Sequence, residues 1–143
     1  MNREEIKKLL PHREPMLLVD WTEKQEDGSI RATYNVTGEE WFLKGHFPGF
    51  PVVPGVVICE IMAQCCTLIL GDKLKGHTPF YAGLDKVRFK RMVRPGDTIE
   101  TRAVMKANRG SLFIIEAEAR VEGQLACKGE LTFYLMDNKD LDK

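Results

Sequence analysis

An uninterrupted helical pattern of apolar residues, from residue 56 to residue 70, sets the centre of the predicted fold. Within these fifteen residues only Glu60, Gln64 and Thr67 have side chains that hydrogen-bond strongly. A proline precedes the run, at a position where the missing backbone N–H costs a helix nothing, and a glycine follows it. The run is too short to cross a bilayer, which takes about 20 residues. We therefore predict a buried helix around which the rest of the chain is organised.

Strand patterns lie on both sides of this helix. In residues 80–91, Val87 and Phe89 alternate with basic side chains, so these two apolar side chains are predicted to face the core. The pattern indicates an α+β domain in which an antiparallel sheet of about five to six strands packs on the helix, with edges that another subunit could cover. A short helix is predicted at 3–9, and strands are predicted at 16–24, 30–37, 80–91, 97–108, 111–122 and 124–136.

The composition is that of one globular domain, residues 1–143. Lys plus Arg and Asp plus Glu are both 21, so no global charge points to nucleic acid. The N-terminus lacks the apolar core of a signal peptide, which favours a cytoplasmic protein without membrane insertion. The four cysteines lack zinc-finger spacing and are interpreted as reduced core residues, with a catalytic thiol as the less favoured alternative. Residues 137–143 are expected to be a frayed tail.

Glu60 is the anomaly of the apolar helix. A carboxyl group there is costly unless it is paired, hydrogen-bonded or protonated, which makes it a candidate general acid. Gln64 lies one turn further on the same face and could orient the carboxyl group or a bound water. The alternative is that Glu60 points into solvent or into a subunit contact.

His46 lies in a loop that its prolines make rigid, between residues 38 and 55. A rigid loop suits a general base, because a misplaced imidazole loses much of its catalytic rate advantage. The helix that follows offers free N–H groups near Gly55, which could hold an oxyanion. The alternative reading of His46 is structural, and His12 and His77 are interpreted in that way.

Basic residues cluster around the end of the 80–91 run. The ordinary interpretation is a solvated strand face, and the alternative is a dock for an acidic carrier protein or a phosphate. The cluster consists of Lys86, Arg88, Lys90, Arg91 and Arg94.

The loop and the helix together carry a specific motif. The run Gly-His-Phe-Pro-Gly-Phe-Pro-Val-Val-Pro-Gly-Val at 45–56, followed by Glu60 and Ala63-Gln64, resembles the active-site motif of the beta-hydroxyacyl-acyl carrier protein dehydratases of the FabZ type. The likeness extends to residues 6–20, 81–91 and 94–97, with Met92 where the family has proline. It implies the hot-dog fold, a long central helix wrapped by a curved antiparallel sheet. A glutamate at this helix position is similar to the FabZ type and unlike the related FabA type, which has aspartate.

The resemblance also implies a mechanism. In the family the two motif residues, here His46 and Glu60, face each other across a homodimer interface, one from each subunit. The thioester carbonyl would bind near Gly55, His46 would remove the C2 proton and Glu60 would protonate the departing C3 hydroxyl, with no metal or redox cofactor. Gln64 would assist in binding. The substrate would be a (3R)-hydroxyacyl chain on the phosphopantetheine arm of acyl carrier protein, in the elongation cycle of type II fatty acid biosynthesis.

Other residues receive roles from the same resemblance. The basic cluster would dock the carrier protein, and the acyl tunnel would be lined by Phe50, Phe80 and Tyr81. A homodimer and a hexamer built as a trimer of dimers are both compatible with the sequence, as are different acyl lengths, an accompanying isomerase activity and a bridging water at Glu60. Two alternatives to the dehydratase are a hot-dog thioesterase and a non-catalytic acyl-binding module.

Overall fold

One antiparallel sheet and one long helix make up most of the molecule. A computed structural model describes residues 1–141. The six strands form one sheet in the order β1-β2-β4-β5-β6-β3, and short 3-10 turns occur at Trp41–Leu43, Gly71–Leu74 and Asn138–Asp140. In chain order the elements are α1 (Arg3–Ile6), β1 (Trp21–Lys24), β2 (Ile30–Asn35), α2 (Gly55–Leu68), β3 (His77–Phe89), β4 (Thr98–Arg109), β5 (Leu112–Val121) and β6 (Gln124–Asp137).

The predicted central helix is α2. It packs against β2, β4, β5 and β6, and Met62, Cys65 and Cys66 on it are fully buried. Its last turn tightens, since the N–H of Ile69 donates to Cys66 O and that of Leu70 to Thr67 O, both at 3.1 Å. The α+β prediction, with a helix on a sheet of about five to six antiparallel strands, is confirmed by the six strands observed.

The strands of the sheet centre alternate as the sequence pattern requires. In β4, Ile99, Thr101 and Ala103 are buried while the residues between them are exposed. The side chains of one sheet face therefore enclose α2, and those of the other face meet solvent.

Edge strand β3 departs from the predicted alternation. The register with β6 shifts between Tyr81 and Gly83 and again between Asp85 and Arg88, and Lys86 at the second shift has a φ of 55°. Because a bulge adds a residue to one strand, it changes the direction in which the following side chains point. Val87 remains half-buried, but Phe89 is 53% exposed, so the prediction that Phe89 faces the core was wrong.

The N-terminal region also differs from the sequence prediction. Helix α1 is shorter than predicted and starts with a capping box made by Asn2 and Glu5. Only the second half of the predicted strand at 16–24 forms a strand. Its first half is a buried segment crossing α2, where the N–H of Leu18 donates to the side chain of Gln64 instead of to a neighbouring strand.

The chain end continues the sheet before it turns. Asp137 is the last residue of β6, and the N–H of Asn138 donates to Gly76 O at 2.9 Å. The predicted frayed tail thus begins in hydrogen-bonded structure, and its residues 142–143 lie outside the described residues. No helix within residues 1–141 is both long enough and apolar enough to pass through a lipid bilayer.

Candidate active site

The His46 loop holds its imidazole by one nitrogen. His46 Nδ1 lies 3.0 Å from Val52 O. A carbonyl oxygen only accepts hydrogen bonds, so this contact places the ring proton on Nδ1 and leaves a lone pair on Nε2. The neighbouring Phe47, at a φ of 50°, stacks on the imidazole with ring centroids 4.2 Å apart. The half-buried His46 therefore presents Nε2 as a candidate base.

The part of the loop that follows His46 contacts the rest of the molecule. The N–H of Val53 donates to Val93 O at 2.8 Å, and Val53 is buried. The guanidinium of Arg94 lies over the ring of Phe50 at 4.8 Å, which is cation–π distance. Phe50 and Arg94, predicted to serve the tunnel and the carrier dock, thus contact each other beside the His46 loop.

Helix α2 begins with free N–H groups. The N–H groups of Val57 and Ile58 donate to Pro54 O, whereas those of Gly55 and Val56 have no acceptor among residues 1–141. A Cβ on Gly55 would lie 2.9 Å from Cε1 of Phe89, so an alanine there would require the exposed Phe89 ring to move. Free N–H groups at a helix start are suited to an anionic oxygen, and the oxyanion role of Gly55 stays a prediction.

Gln64 orients Glu60 from one turn along the helix. Gln64 Oε1 accepts from Leu18 N at 2.7 Å, and Gln64 Nε2 donates to Met16 O at 2.7 Å and to Glu60 Oε2 at 2.9 Å. Gln64 is buried, and both of its amide hydrogens have protein acceptors. Its hydrogen bonds therefore fix the carboxyl group of Glu60 and leave no N–H for a substrate oxygen.

The carboxyl group of Glu60 meets His12 rather than His46 within the chain. Nε2 of His12 lies 3.6 Å from Glu60 Oε2, and the two residues line a cavity of ≈ 40 Å³ together with Gln64 and Tyr81. Among the described residues no contact within 4.0 Å joins His46 to Glu60. The sequence interpretation of His12 as merely structural missed this contact, because the two residues are far apart in sequence and share no local pattern.

Two side chains that line this cavity have pKa values shifted from their ordinary range. Burial is the main effect that lowers the pKa of His12. The charge of Glu60 acts in the opposite direction, whereas the charge of the neighbouring Arg13 also lowers the pKa. Burial raises the pKa of Tyr81, and the charge of Glu60 adds to that effect. The Tyr81 hydroxyl donates to Cys59 O at 2.9 Å, which fixes β3 to the helix turn that carries Glu60. At neutral pH both side chains are therefore uncharged.

The other predicted site residues lie apart from the cavity. Phe80 is 42% exposed on the edge strand. Within the basic cluster, Lys86 pairs with Glu130 at 3.2 Å, and Arg91 donates to Gln124 at 2.8 Å. Arg88, Lys90 and Arg94 have exposed side chains, which leaves part of the cluster open to a partner.

Among residues 1–141, neither the cysteines nor the acidic residues form a metal site. All four cysteines are buried and unpaired, and burial raises the pKa of the Cys65 and Cys66 thiols. Within residues 1–141 no group of three or more His, Cys, Asp or Glu side chains is arranged to hold a metal ion.

The chain resembles known proteins along most of its length. Residues 10–130 match the family model of the FabA-like domain. The chain is 49% identical over 137 residues to the 3-hydroxyacyl-acyl-carrier-protein dehydratase FabZ of Clostridium perfringens (strain SM101 / Type A), a match covering 94% of this chain and 99% of that protein. Its identity to the FabZ of Caldicellulosiruptor bescii is 44% over 137 residues, covering 94% and 98%.

A solved structure shares the fold. The dehydratase heterocomplex ApeI:P from Xenorhabdus doucetiae matches with a TM-score of 0.81 at 20% identity, covering 96% of this chain and 94% of that chain. Because the family model spans most of the chain and the curated relatives cover nearly all of it, the chain belongs to the FabA-like family and, within it, to the FabZ-type dehydratases.

Proposed function

We propose that the chain dehydrates (3R)-hydroxyacyl-acyl carrier protein to the trans-2-enoyl thioester and water, in the elongation cycle of type II fatty acid biosynthesis. Its curated relatives carry the name of this activity. The observation that carries the proposal for this chain is the orientation of His46, whose Nδ1 is held by Val52 O so that Nε2 can accept a proton. A hydro-lyase of this kind needs no metal or redox cofactor, since the thioester itself acidifies the C2 proton.

The proton transfers divide between two residues. His46 Nε2 takes the C2 proton, and the electron pair of that C–H bond forms the C2–C3 double bond as the C3–O bond breaks. Glu60 gives its proton to the leaving hydroxyl, which departs as water. Both known contacts of Glu60 go to Oε2, so Oε1 is the oxygen available to act, either directly or through a water.

Negative charge on the thioester oxygen needs a stabiliser during proton removal. The unbonded N–H groups of Gly55 and Val56 at the start of α2 supply two donors at the end of a helix where the dipole favours an anion. They follow the His46 loop directly, which places the base and the oxyanion site on consecutive stretches of chain.

The site is proposed to form between two subunits. His46 and Glu60 do not meet within one chain, which fits an arrangement in which each subunit supplies one of them. Strand β3 is a free edge of 13 residues, and Phe80, Tyr81 and Leu84 on it are between 42% and 46% exposed. An exposed apolar edge strand is a template for pairing, and pairing β3 with the same strand of a second copy would cover it. A trimer of such dimers would use other surfaces.

Acyl carrier protein is the proposed partner. The exposed Arg88, Lys90 and Arg94 suit an acidic surface, and Arg94 contacts the ring of Phe50 beside the His46 loop. We assign the acyl chain a path past Phe50, Phe80 and Tyr81. The proposal places the enzyme in the cytoplasm and involves no nucleic acid.

The first experiment follows enoyl thioester absorbance after the protein is mixed with 3-hydroxybutyryl or crotonyl carrier protein. We expect interconversion of the two thioesters, its loss in His46→Ala and its retention in the matched control His77→Ala. A parallel assay measures release of free thiol. Thiol release without interconversion would identify a thioesterase, and silence in both assays would identify an acyl-binding module.

A further inference from the structure

His12 lies against the proposed acid with one ring nitrogen unexplained. Its Nε2 is 3.6 Å from Oε2 of Glu60, and its Nδ1 is buried without a hydrogen-bond partner among the described residues. Buried polar atoms are nearly always satisfied, so an unpartnered nitrogen indicates that the ring is held where it is for another reason. The position of the ring beside Glu60 is the reason that the structure offers.

The backbone around His12 is fixed independently of Glu60. The guanidinium of Arg13 donates to three carbonyl oxygens, those of Lys7, Leu10 and His12, at 3.1, 2.9 and 2.7 Å. Leu10 is also buried in the core. The segment that carries His12 is therefore fixed by hydrogen bonds, and it holds the imidazole ring against α2.

The hydrogen bonds of Gln64 indicate the role of the His12 ring at Glu60. Because Gln64 Oε1 accepts from Leu18 N, its Nε2 is the donor facing Glu60, and Glu60 Oε2 must be an acceptor. His12 Nε2 lies 3.6 Å from the same oxygen, just beyond hydrogen-bond distance. With the ring proton on Nε2 and a small approach of the two groups, Oε2 would gain a second donor, and the carboxyl proton of the general acid would then lie on Oε1.

We infer that His12 is a positioning residue for Glu60, which directs the acidic proton to Oε1 by offering Oε2 an N–H from its neutral ring. This inference rests on the proposed function for its catalytic meaning, but its structural content stands separately. His12 does not exchange a proton with substrate, and it acts only through Glu60.

The ring has to remain neutral for this role. The titratable and charged groups that face it are Glu60 on α2, Arg13 beside it in the chain and Tyr81 on β3. Burial lowers the pKa of His12 below its ordinary value, so the imidazole is neutral at pH 7 and becomes charged only as the pH falls. A charged imidazolium would place a full positive charge beside Oε2 in place of a neutral donor.

Kinetics of two substitutions test the role. His12→Gln keeps a neutral N–H donor near the position of Nε2, whereas His12→Leu has a similar bulk and no donor. We expect kcat to fall about fivefold in His12→Leu, the size of one hydrogen bond between neutral groups, with KM within about twofold of wild type. In His12→Gln most of kcat should return, and His77→Gln serves as the matched control. Equal losses in Gln and Leu, or a change confined to KM, would overturn the inference.

A spectroscopic measurement tests it without turnover. In ¹⁵N-histidine-labelled protein at pH 7, we expect His12 to be neutral with its proton on Nε2. Its ring signals should move in Glu60→Gln and stay in the control Glu118→Gln, since Glu118 is an exposed residue of β5. A proton on Nδ1, or a charged ring at pH 7, would refute the inference even if the enzyme were inactive. An inactive wild type with the expected ring state would reject the dehydratase alone.

Discussion

Two side chains of the proposed active site are each held through one of two similar atoms. His46 is held through Nδ1 by Val52 O, and Glu60 is held through Oε2 by Gln64. In each case the protein binds one of two similar atoms and leaves the other free. In the proposed mechanism, proton removal would therefore fall to Nε2 of His46 and proton delivery to Oε1 of Glu60.

Glu60→Gln should leave the fold intact and abolish most turnover. The amide is nearly isosteric but has no acidic proton, and loss of a general acid commonly costs about 10²–10⁴ in rate. The enoyl absorbance assay measures kcat, with Glu118→Gln as the control. Wild-type turnover in a folded Glu60→Gln protein would remove Glu60 from the mechanism.

Gln64→Leu should cost stability as well as rate. The substitution leaves the N–H of Leu18 and the carbonyl of Met16 without their partner beside the core, and each unsatisfied buried group costs about 1–3 kcal/mol. We expect a clear drop in the denaturant midpoint together with reduced kcat. The control Gln25→Leu, at a residue whose hydrogen bond is exposed, should change neither. An unchanged midpoint in Gln64→Leu would contradict the described hydrogen bonds.

At the scale of secondary-structure elements, the start of α2 brings together the proposed base, the proposed oxyanion donors and an aromatic ring. The His46 loop leads into Gly55, and the ring of Phe89 from the end of β3 lies over that glycine. The bulge at Asp85–Arg88 directs Phe89 to this place. The irregularity of an edge strand is therefore part of how the active-site helix begins.

Gly55→Ala tests this close approach. The added Cβ would meet Phe89 Cε1 at 2.9 Å, and because that ring is exposed and can move, we expect a cost at the low end of overpacking, about 1 kcal/mol. In a Phe89→Ala background the same change should be neutral or stabilising, because alanine suits a helix better than glycine. Denaturant unfolding of the four proteins in the cycle measures the coupling. Equal costs in both backgrounds would show that Phe89 does not restrict position 55.

The parts that sequence reasoning predicted are those with a local signal. The helical pattern of apolar residues predicted α2, turn residues marked the ends of the strands, and the motif around His46 identified the loop. The contact between His12 and Glu60 has no such signal, since it arises from a segment that crosses α2 from the other end of the chain. Likewise, the outward turn of Phe89 depends on a bulge set by pairing with β6, which the alternation of β3 alone does not reveal.

Considered as a whole molecule, the subunit has one long apolar edge uncovered and its two proposed catalytic residues apart. Strand β3 lies at one end of the sheet and carries exposed Phe80 and Tyr81. The other end of the sheet, β1, is only four residues long and is joined by a bridge to Asn2. The two edges are therefore unequal, and β3 is the one suited to self-association.

Mixing two inactive variants tests whether sites are shared. Equal amounts of His46→Ala and Glu60→Gln, unfolded and refolded together, should recover about one quarter of wild-type activity, because half of the dimers are mixed and each mixed dimer has one intact site. Refolding each variant alone is the control and should give none. Light scattering of the same samples separates dimers from hexamers. No recovery from properly refolded mixtures would mean that each site lies within one chain.

The segment that crosses α2 has a consequence for the chain as it is synthesised. Leu18 is synthesised 46 residues before Gln64. The N–H of Leu18 therefore lacks this side-chain acceptor until helix α2 has been made. Until the two meet, the amide of Gln64 is not held in place and Glu60 has no fixed orientation. Under the proposed mechanism, a partly folded subunit would contain the proposed catalytic residues without the geometry that they need, so activity would report completed folding rather than mere presence of the chain.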